Sequence, residues 1–234
     1  MARCYCWTKR IFLIAFFLAG FSGVEAEAAD YFPLQVGNSW TYSPSYGDKG
    51  DRVDTIVGTE TVSGTFTYIW NRQEAPDDNY NEKRWLAKDG SYLKVYKIWG
   101  NEGPITTPIV ISPPWNMLKL NPVVGDTWEF EIDIVSIHYK ATYYVRSTTD
   151  SVTLAAGSFN NCMRVQELSE ATESGATEYE YEETIYAPDV GPIIYRRYTE
   201  NWTSITFNQE LVSFSISAET GKTIPGIPLL LLDD

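Results

Sequence analysis

The sequence predicts an all-β protein, with a mostly antiparallel curved sheet or incomplete barrel built from two sequence repeats. Segments rich in Val, Ile, Thr, Tyr and Phe recur along the chain, separated by turn signals such as Asp89-Gly90 and Pro188-Asp189. Trp128–Ile134 alternates apolar and acidic residues, as a strand with one buried face requires. No segment after residue 28 shows the 3.6-residue apolar period of a helix, so we expect about 10 to 12 strands.

The first 28 residues have the three regions of a secretory signal peptide. Basic residues precede the apolar run Ile11–Gly20, and Ala26-Glu27-Ala28 is a small-x-small cleavage site. The apolar run is shorter than the roughly 20 residues that span a bilayer. We therefore expect an exported protein, periplasmic or extracellular, with no membrane span after cleavage.

The composition argues against several classes of partner and site. The chain has 18 basic and 31 acidic residues and a formal net charge of −13. Such a charge repels phosphate backbones, so we expect no nucleic-acid partner. Cys162 is the single cysteine after residue 28, and His138 is the single histidine. One residue of each type is too few for a zinc site, so we predict no metal ligands and no cofactor.

Three motif pairs in the same order indicate an internal repeat. The pairs are Val36–Tyr42 with Val124–Phe130, Gly64–Phe66 with Gly157–Phe159, and Leu86–Gly90 with Tyr186–Gly191. The predicted organisation is a signal peptide at 1–28, a first β repeat at 29–102, a Pro-rich join at 103–121, a second β repeat at 122–217 and a tail at 218–234. The two repeats are expected to superpose with Trp40 matching Trp128.

The search for catalytic residues favours a protein that is not an enzyme. A Cys162–His138 nucleophilic pair is formally possible, but the repeat aligns Cys162 with Ile69, which favours a buried, unreactive core residue. Asp77–Glu82 imitates the start of a calcium loop without its glycine, so a polar hairpin loop is the simpler interpretation.

Glu178, Glu180 and Glu182 share one face of a predicted strand. Paired carboxylates can hydrolyse a glycosidic bond when one of them has a raised pKa in a protected cleft. A solvated face, or a sheet edge guarded by charge, explains the alternation more simply.

Aromatic residues supply the candidate ligand contacts. Trp40 and Trp128 are paired by the repeat and are interpreted as core residues. Three other tryptophans lack such a pairing, and two phenylalanines begin equivalent strands. The candidate ligand-binding residues are therefore Phe66, Phe159, Trp99, Trp115 and Trp202.

Three segments, Tyr31–Tyr42, Ala156–Cys162 and Tyr186–Ile193, resemble a group of exported bacterial proteins of unknown function. The group shares a YFPL-x-VGN-x-W opening and a YAP-x-VG motif. Its layout is similar to the incompletely closed half-barrels of periplasmic lipoprotein carriers, and this resemblance implies an apolar pocket. It supplies no catalytic residues.

These observations favour an exported, non-catalytic binding or carrier protein for an apolar ligand or a cell-envelope component. The alternative is a structural or adhesive surface-interaction protein that uses its acidic sheet and the Leu229–Leu232 tail. A carbohydrate-active protein is a third interpretation. A cavity of several hundred Å³ lined by apolar side chains would favour the carrier. The sequence does not predict the oligomeric state.

Overall fold

The computed structural model describes residues 29–43, 51–74, 81–101, 106–134 and 136–217. The predicted signal peptide and the Leu229–Leu232 run lie outside these ranges, as does the Asp77–Glu82 loop except for its last two residues. The one helical element in the described ranges is a 3-10 turn at Glu200–Trp202.

Twelve strands make up the described part of the chain. They are β1 (Ser39–Tyr42), β2 (Arg52–Val62), β3 (Thr65–Gln73), β4 (Asn81–Asp89), β5 (Tyr92–Gly100), β6 (Ile109–Lys119), β7 (Thr127–Ile134), β8 (Ile137–Leu154), β9 (Gly157–Glu173), β10 (Ala176–Ala187), β11 (Gly191–Tyr198) and β12 (Ile205–Ser215).

All twelve strands belong to one antiparallel sheet that curls into a nearly closed barrel. The strand order is β6-β5-β4-β3-β2-β1-β12-β11-β10-β9-β8-β7. The two end strands lie side by side, because Trp115 of β6 stacks on Phe130 of β7 with ring centroids 5.3 Å apart. The fold class predicted from the sequence, an antiparallel incomplete barrel, is therefore confirmed.

Alternation along the strands decides which side chains face the interior. On β7, Trp128 and Phe130 are buried whereas Glu129 and Glu131 are exposed, as the sequence pattern predicts. The main apolar cluster includes Trp40, Tyr42, Ile56, Leu86, Leu93, Leu118, Met163, Ile193, Ile194 and Leu211. A second, separate cluster consists of Val62, Trp85, Ala87 and Tyr96, with Ile69 and Trp99 packed against it.

The segment predicted as a Pro-rich join between the repeats forms strand β6 over most of its length. Ile109–Lys119 pairs with β5 and includes Pro113 and Pro114. Proline donates no backbone hydrogen bond, and strands at a sheet edge tolerate it. Because β6 is at the end of the strand order, its prolines are compatible with strand structure.

Two turns of the predicted repeat have the same backbone hydrogen bonds. Gly37 N donates to Ile56 O and Ile56 N donates to Asn38 O, each at 2.9 Å. In the second half, Gly125 N donates to Val145 O and Val145 N donates to Asp126 O, each at 3.0 Å. Trp40 lies on β1 and Trp128 on β7, the first strands of the two halves. The superposition of the halves stays a prediction.

The three segments that carry the sequence resemblance lie against one another. The indole Nε1 of Trp40 donates to Val190 O at 2.7 Å, and the Tyr31 hydroxyl donates to Asn161 O at 3.1 Å. Gly191 has φ +107°, and a Cβ there would lie 3.2 Å from the Trp40 indole. These contacts join residues 31–42 to β9 and to the residue before β11. The three segments therefore have a structural role in this protein.

Cys162 is fully buried and is a free thiol. Burial, followed by the charge of Asp150, raises its pKa to about 11. A Cys162–His138 pair is ruled out by register, because His138 pairs with Thr172, ten positions along β9 from Cys162. At the rise of a strand, that separation is roughly 30 Å. Ile69, the predicted counterpart, packs in the separate smaller cluster, so the repeat does not explain the burial of Cys162.

We expect Cys162→Val to fold normally and to lose at most about 1.5 kcal/mol of stability, because the swap nearly conserves apolar volume. Urea unfolding would give the difference. The wild-type thiol should stay unlabelled by a thiol reagent under native conditions, since a buried thiol with a raised pKa is a poor nucleophile. Labelling within seconds would contradict this.

Candidate functional site: a charged cavity inside the barrel

The barrel interior contains a cavity of about 560 Å³ that is partly open to solvent. Half of its lining residues are Arg or Glu, and most of the others are aromatic. The lining consists of Phe32, Arg52, Trp70, Arg72, Glu74, Glu82, Arg84, Trp115, Met117, Tyr139, Tyr143, Val165, Glu167, Glu180, Glu182, Glu183, Thr184, Tyr186, Tyr195, Arg196, Arg197 and Phe207. The apolar lining expected for a lipid carrier is therefore wrong for this cavity.

One wall, formed by β2, β3 and β4, carries arginines. The Arg52 guanidinium is buried and binds both carboxylate oxygens of Asp54, at 2.8 and 2.6 Å. It also donates to Gln209 Oε1 at 2.8 Å and lies 4.0 Å from the ring centroid of Tyr195. Burial alone would lower the pKa of Arg52, but Asp54 raises it well above its usual value. This residue is therefore a fixed positive charge.

Arg72 and Arg84 continue the basic wall and lie against aromatic rings. Arg84 forms a close ion pair with Glu82, and its guanidinium carbon lies 5.0 Å from the ring centroid of Trp115. Arg72 is held more loosely, 3.5 Å from Glu82 and 4.0 Å from Asp54. Its Nε is buried without a hydrogen-bond partner among the described residues.

The other wall, formed by β9 and β10, carries glutamates. Tyr139 donates a hydrogen bond to Glu167 at 3.0 Å, and Tyr143 also hydrogen-bonds it. Glu167 pairs directly across the ladder with Glu182, which accepts from Arg197 Nη2 at 3.0 Å. Burial, and then the charge of Glu182, raise the pKa of Glu167 to about 7. Among the described residues, the hydrogen-bond partners of Glu167 are tyrosines, and Arg84 acts on it through its charge.

The glutamate face of β10 contributes to the cavity. Glu180 and Glu182 line it, whereas Tyr179, on the alternate face, is 55% exposed. The explanation of this face as a guarded sheet edge is wrong, because β10 is paired on both sides, with β9 and β11. The Glu180 side chain is about half exposed, at 52%, and its partial burial, ahead of neighbouring charges, raises its pKa.

An aromatic seam closes the barrel between β6 and β7 and borders the cavity. The seam consists of Trp115, Asn116, Trp128, Phe130 and Tyr143. Trp128 Nε1 donates to Asn116 O at 2.8 Å, and Trp115 Nε1 donates to the Tyr143 hydroxyl at 3.0 Å. Since Tyr143 also contacts Glu167, the seam is connected directly to the acidic wall.

The structure separates the five candidate ligand-binding residues. Trp115 lines the cavity, whereas the other four are absent from its lining. Phe66 is 57% exposed on β3, and Phe159 packs near Phe214. Trp99 donates to Thr106 O and Trp202 packs on Tyr181 and Tyr198, both away from the lining.

Sequence reasoning missed most of the charged lining. Arg52, Arg72 and Arg84 lie on β2, β3 and β4 and are absent from the predicted site residues, because a charged residue normally faces water. The available signal was their alternation: Arg52 and Asp54 share one face of β2, and Trp70 and Arg72 share one face of β3. Arg and Trp on the same face suggest a polar interior.

His138 is a surface residue. Its imidazole is partly exposed and lies 2.8 Å from Asp133 and 3.5 Å from Glu131. The hydrogen bond to Asp133 raises the pKa of His138. His138 is therefore explained as a surface residue that pairs with neighbouring carboxylates.

Glu167→Gln should change how stability depends on pH. The folded protein holds a proton on Glu167 up to about pH 7, whereas an unfolded glutamate has a pKa of about 4.3. Folding therefore binds a proton in that window, and wild-type stability falls as pH rises from about 4.5 to 7. The variant lacks this loss, so its melting temperature should exceed that of the wild type at pH 8 and approach it at pH 4.5. Glu129→Gln on the exposed face of β7 is the control, and equal profiles for all three proteins would contradict the prediction.

The fold and the cavity define a twelve-stranded antiparallel barrel with a charged interior. No protein-family model matches the chain, and no curated protein matches it. Among solved structures, a candidate lipoprotein from Parabacteroides distasonis is similar at 16% identity and a TM-score of 0.49, covering 81% of this chain and 100% of its own. A candidate exported protein from Bacteroides fragilis with a YmcC-like fold is similar at 13% identity and a TM-score of 0.46, covering 80% of this chain and 99% of its own. At these values the similarity carries no information about a ligand or an activity.

Within the described ranges, no helix has the length and apolar character needed to cross a membrane.

Proposed function

We propose that this protein is an exported, non-catalytic binding protein that holds a small polar ligand in the barrel cavity. The observation that carries the proposal is the charged and aromatic lining of a cavity of about 560 Å³. That volume lies within the range of about 300 to 1,000 Å³ that is typical of small-molecule sites. Export follows from the signal peptide predicted at residues 1–28.

The lining favours a polar ligand over the apolar one expected from the sequence. An apolar ligand would displace water from the Arg and Glu side chains without replacing their hydrogen bonds, which is unfavourable. A polar ligand can replace those bonds, and the arginines are already held in place by aromatic rings and carboxylates. A lining positioned in this way loses little conformational entropy on binding.

The proposal is tested by thermal unfolding with separate sets of small molecules: amino acids and peptides, neutral sugars, and fatty acids. A ligand specific for the folded state stabilises it by about 2.7 kcal/mol at a hundredfold excess over its dissociation constant. We expect a polar set to raise the melting temperature and fatty acids to leave it unchanged. A shift with fatty acids alone would restore the apolar carrier, and no shift with any set would reject cavity binding.

A matched pair of variants on β10 tests whether the ligand binds in the cavity. Thr184→Phe adds a ring to a residue of the cavity lining. Thr177→Phe adds the same ring at an exposed position of the same strand. We expect Thr184→Phe to remove the ligand-induced shift and Thr177→Phe to keep it, with both proteins folded by circular dichroism. An unchanged shift in Thr184→Phe would place the ligand elsewhere.

Glycoside hydrolysis is a second candidate, favoured by one observation. Glu167 lies beside Glu182 and has a raised pKa, and a pair of carboxylates of which one has a raised pKa is what such an enzyme needs. Two features favour binding instead. Arg84 lies over Trp115, so that ring face is not free to stack on a sugar, and both tyrosine contacts lower the pKa of Glu167. Release of nitrophenol from a panel of nitrophenyl glycosides, lost in Glu167→Gln, would establish the enzyme.

A further inference from the structure

We infer that the ligand is a small zwitterion, a short peptide whose ammonium group binds at Glu167 and Glu182 and whose carboxylate binds at Trp70 and Arg72. This inference rests on the proposed binding function and names the chemical class of its ligand. It is carried by buried donors without hydrogen-bond partners on one wall of the cavity and, on the other, by the Glu167 carboxylate, whose hydrogen-bond partners among the described residues are tyrosine hydroxyls.

The acceptor side is the Glu167 carboxylate. It lies in the cavity lining with hydroxyl groups as its hydrogen-bond partners, and its direct neighbour across the ladder is another glutamate. Two carboxylates side by side repel each other, and an ammonium group between them would relieve that repulsion. Tyr139 and Tyr143 lie beside the same carboxylate. Aromatic rings around a carboxylate form a favourable site for an organic cation.

The donor side is on β3. Trp70 is 3% exposed and lines the cavity, and its indole Nε1 has no hydrogen-bond partner within the described residues. Arg72 follows on the same face, with a second unpartnered donor at Nε and long ion pairs of 3.5 and 4.0 Å. A buried donor left unpaired costs about 1–3 kcal/mol. A ligand carboxylate that reaches these donors, with a small shift of the side chains, would recover that cost.

The strand order separates the donor and acceptor sides. β3 and β9 lie six strands apart in a twelve-stranded order whose ends meet at the aromatic seam, so they are on opposite walls of the barrel. A ligand that reaches both must carry its two charges at opposite ends. A di- or tripeptide, whose ammonium and carboxylate groups lie at its two termini, fits a cavity of about 560 Å³.

The charge balance of the cavity also favours a zwitterion. Its lining holds five arginines and six glutamates, and Asp54 lies directly against Arg52. The lining is therefore close to neutral with a small acidic excess, inside a chain of net charge −13. A purely anionic ligand would be repelled by the field of the whole protein. A zwitterion adds no net charge and can pair with both walls.

The experiment is a binding titration with a set of di- and tripeptides, followed by blocked forms of each hit. N-acetylation removes the ammonium charge, and C-amidation removes the carboxylate charge. We expect each change to weaken binding at least tenfold. Blocked forms that bind as well as the parent would overturn the inference.

Charge-removing variants assign each end of the ligand to its wall. In Glu167→Gln, the parent ligand should bind more weakly, and N-acetylation should then cost little more. In Arg72→Gln, the same should hold for C-amidation. Glu129→Gln and Arg146→Gln, which alter an exposed glutamate and an exposed arginine, are the matched controls. A merely structural role for Glu167 or Arg72 would weaken the parent and both blocked forms equally.

The pH dependence supplies a third readout. Glu167 must be ionised to bind an ammonium group, so affinity should rise with pH through about 7 in the wild type, with release of a proton on binding. Glu182, Tyr139, Tyr143 and Arg84 face this carboxylate. The rise should disappear in Glu167→Gln, and a rise that persists there would assign it to another group.

The outcomes separate the ligand class from the binding function. Shifts with neutral sugars or fatty acids alone would reject the zwitterion and leave a cavity-binding protein. Zwitterions that bind Thr184→Phe as tightly as the wild type would place their site outside the cavity. No binding of any set would reject the proposed function together with the inference.

Discussion

Asp54→Ala is expected to destabilise the protein by about 3–5 kcal/mol, because it leaves the Arg52 guanidinium buried without its counter-charge. Asp54 is fully buried and accepts two hydrogen bonds from Arg52. Arg52 cannot escape the penalty by losing its proton, since an arginine stays charged in proteins. Gln209 and the ring of Tyr195 remain beside it, but neither carries a compensating charge.

The measurement is urea unfolding, with the free energy extrapolated to water at constant m-value. The double variant Arg52→Met/Asp54→Leu should be clearly more stable than Asp54→Ala, since it removes both charges and keeps the volume. Glu129→Ala breaks a solvated pair with Lys140 and should cost at most about 1 kcal/mol. An Asp54→Ala protein within 1 kcal/mol of wild type would show that water reaches Arg52.

The fold was predictable because strand alternation is a local property. The apolar-acidic alternation of Trp128–Ile134 corresponds directly to the buried and exposed positions of β7. The predicted turns Asp89-Gly90 and Pro188-Asp189 mark strand ends in the same way. Strand β6 was not recognised because its two prolines are typical of linkers. Edge position depends on the order of the whole sheet, which a local pattern does not contain.

The site was less predictable because alternation does not say which face is inside. On β10, the glutamates and tyrosines alternate as expected, but Glu180 and Glu182 face the cavity and Tyr179 faces solvent. The assignment of faces depends on partners far along the chain. The raised pKa of Glu167 comes first from burial by other strands and then from the charge of Glu182, neither of which is visible near residue 167 in the sequence.

The charged interior also explains why most of the aromatic candidates lie outside the cavity lining. In this barrel the cavity-facing rings of Trp70, Trp115 and Tyr195 lie next to arginines. Trp115 is a candidate in the sequence because it lacks a repeat partner. In the structure it lines the cavity because of its position on β6 at the seam. It faces Arg84 on the cavity side and Phe130 across the seam.

Trp128→Ala is expected to cost about 3–5 kcal/mol and to open the barrel between β6 and β7, as truncation of a buried tryptophan removes both apolar contacts and its hydrogen bond. Trp128 is 6% exposed and stacks on Tyr143 with ring centroids 5.0 Å apart. Its Nε1 donates to Asn116 O across the seam. β6 and β7 are the ends of the strand order, so side-chain contacts of this kind hold them together.

Hydrogen exchange distinguishes opening of the seam from a general loss of stability. Backbone amides of β6 and β7 should exchange faster in Trp128→Ala than those of β1 and β12, which pair in the middle of the strand order. Trp202→Ala is the matched control, because this half-buried tryptophan packs on Tyr181 and Tyr198 away from the seam. It should leave exchange in β6 and β7 unchanged. Uniformly faster hydrogen exchange over all strands in Trp128→Ala would mean that Trp128 stabilises the whole core and not the contact between β6 and β7 in particular.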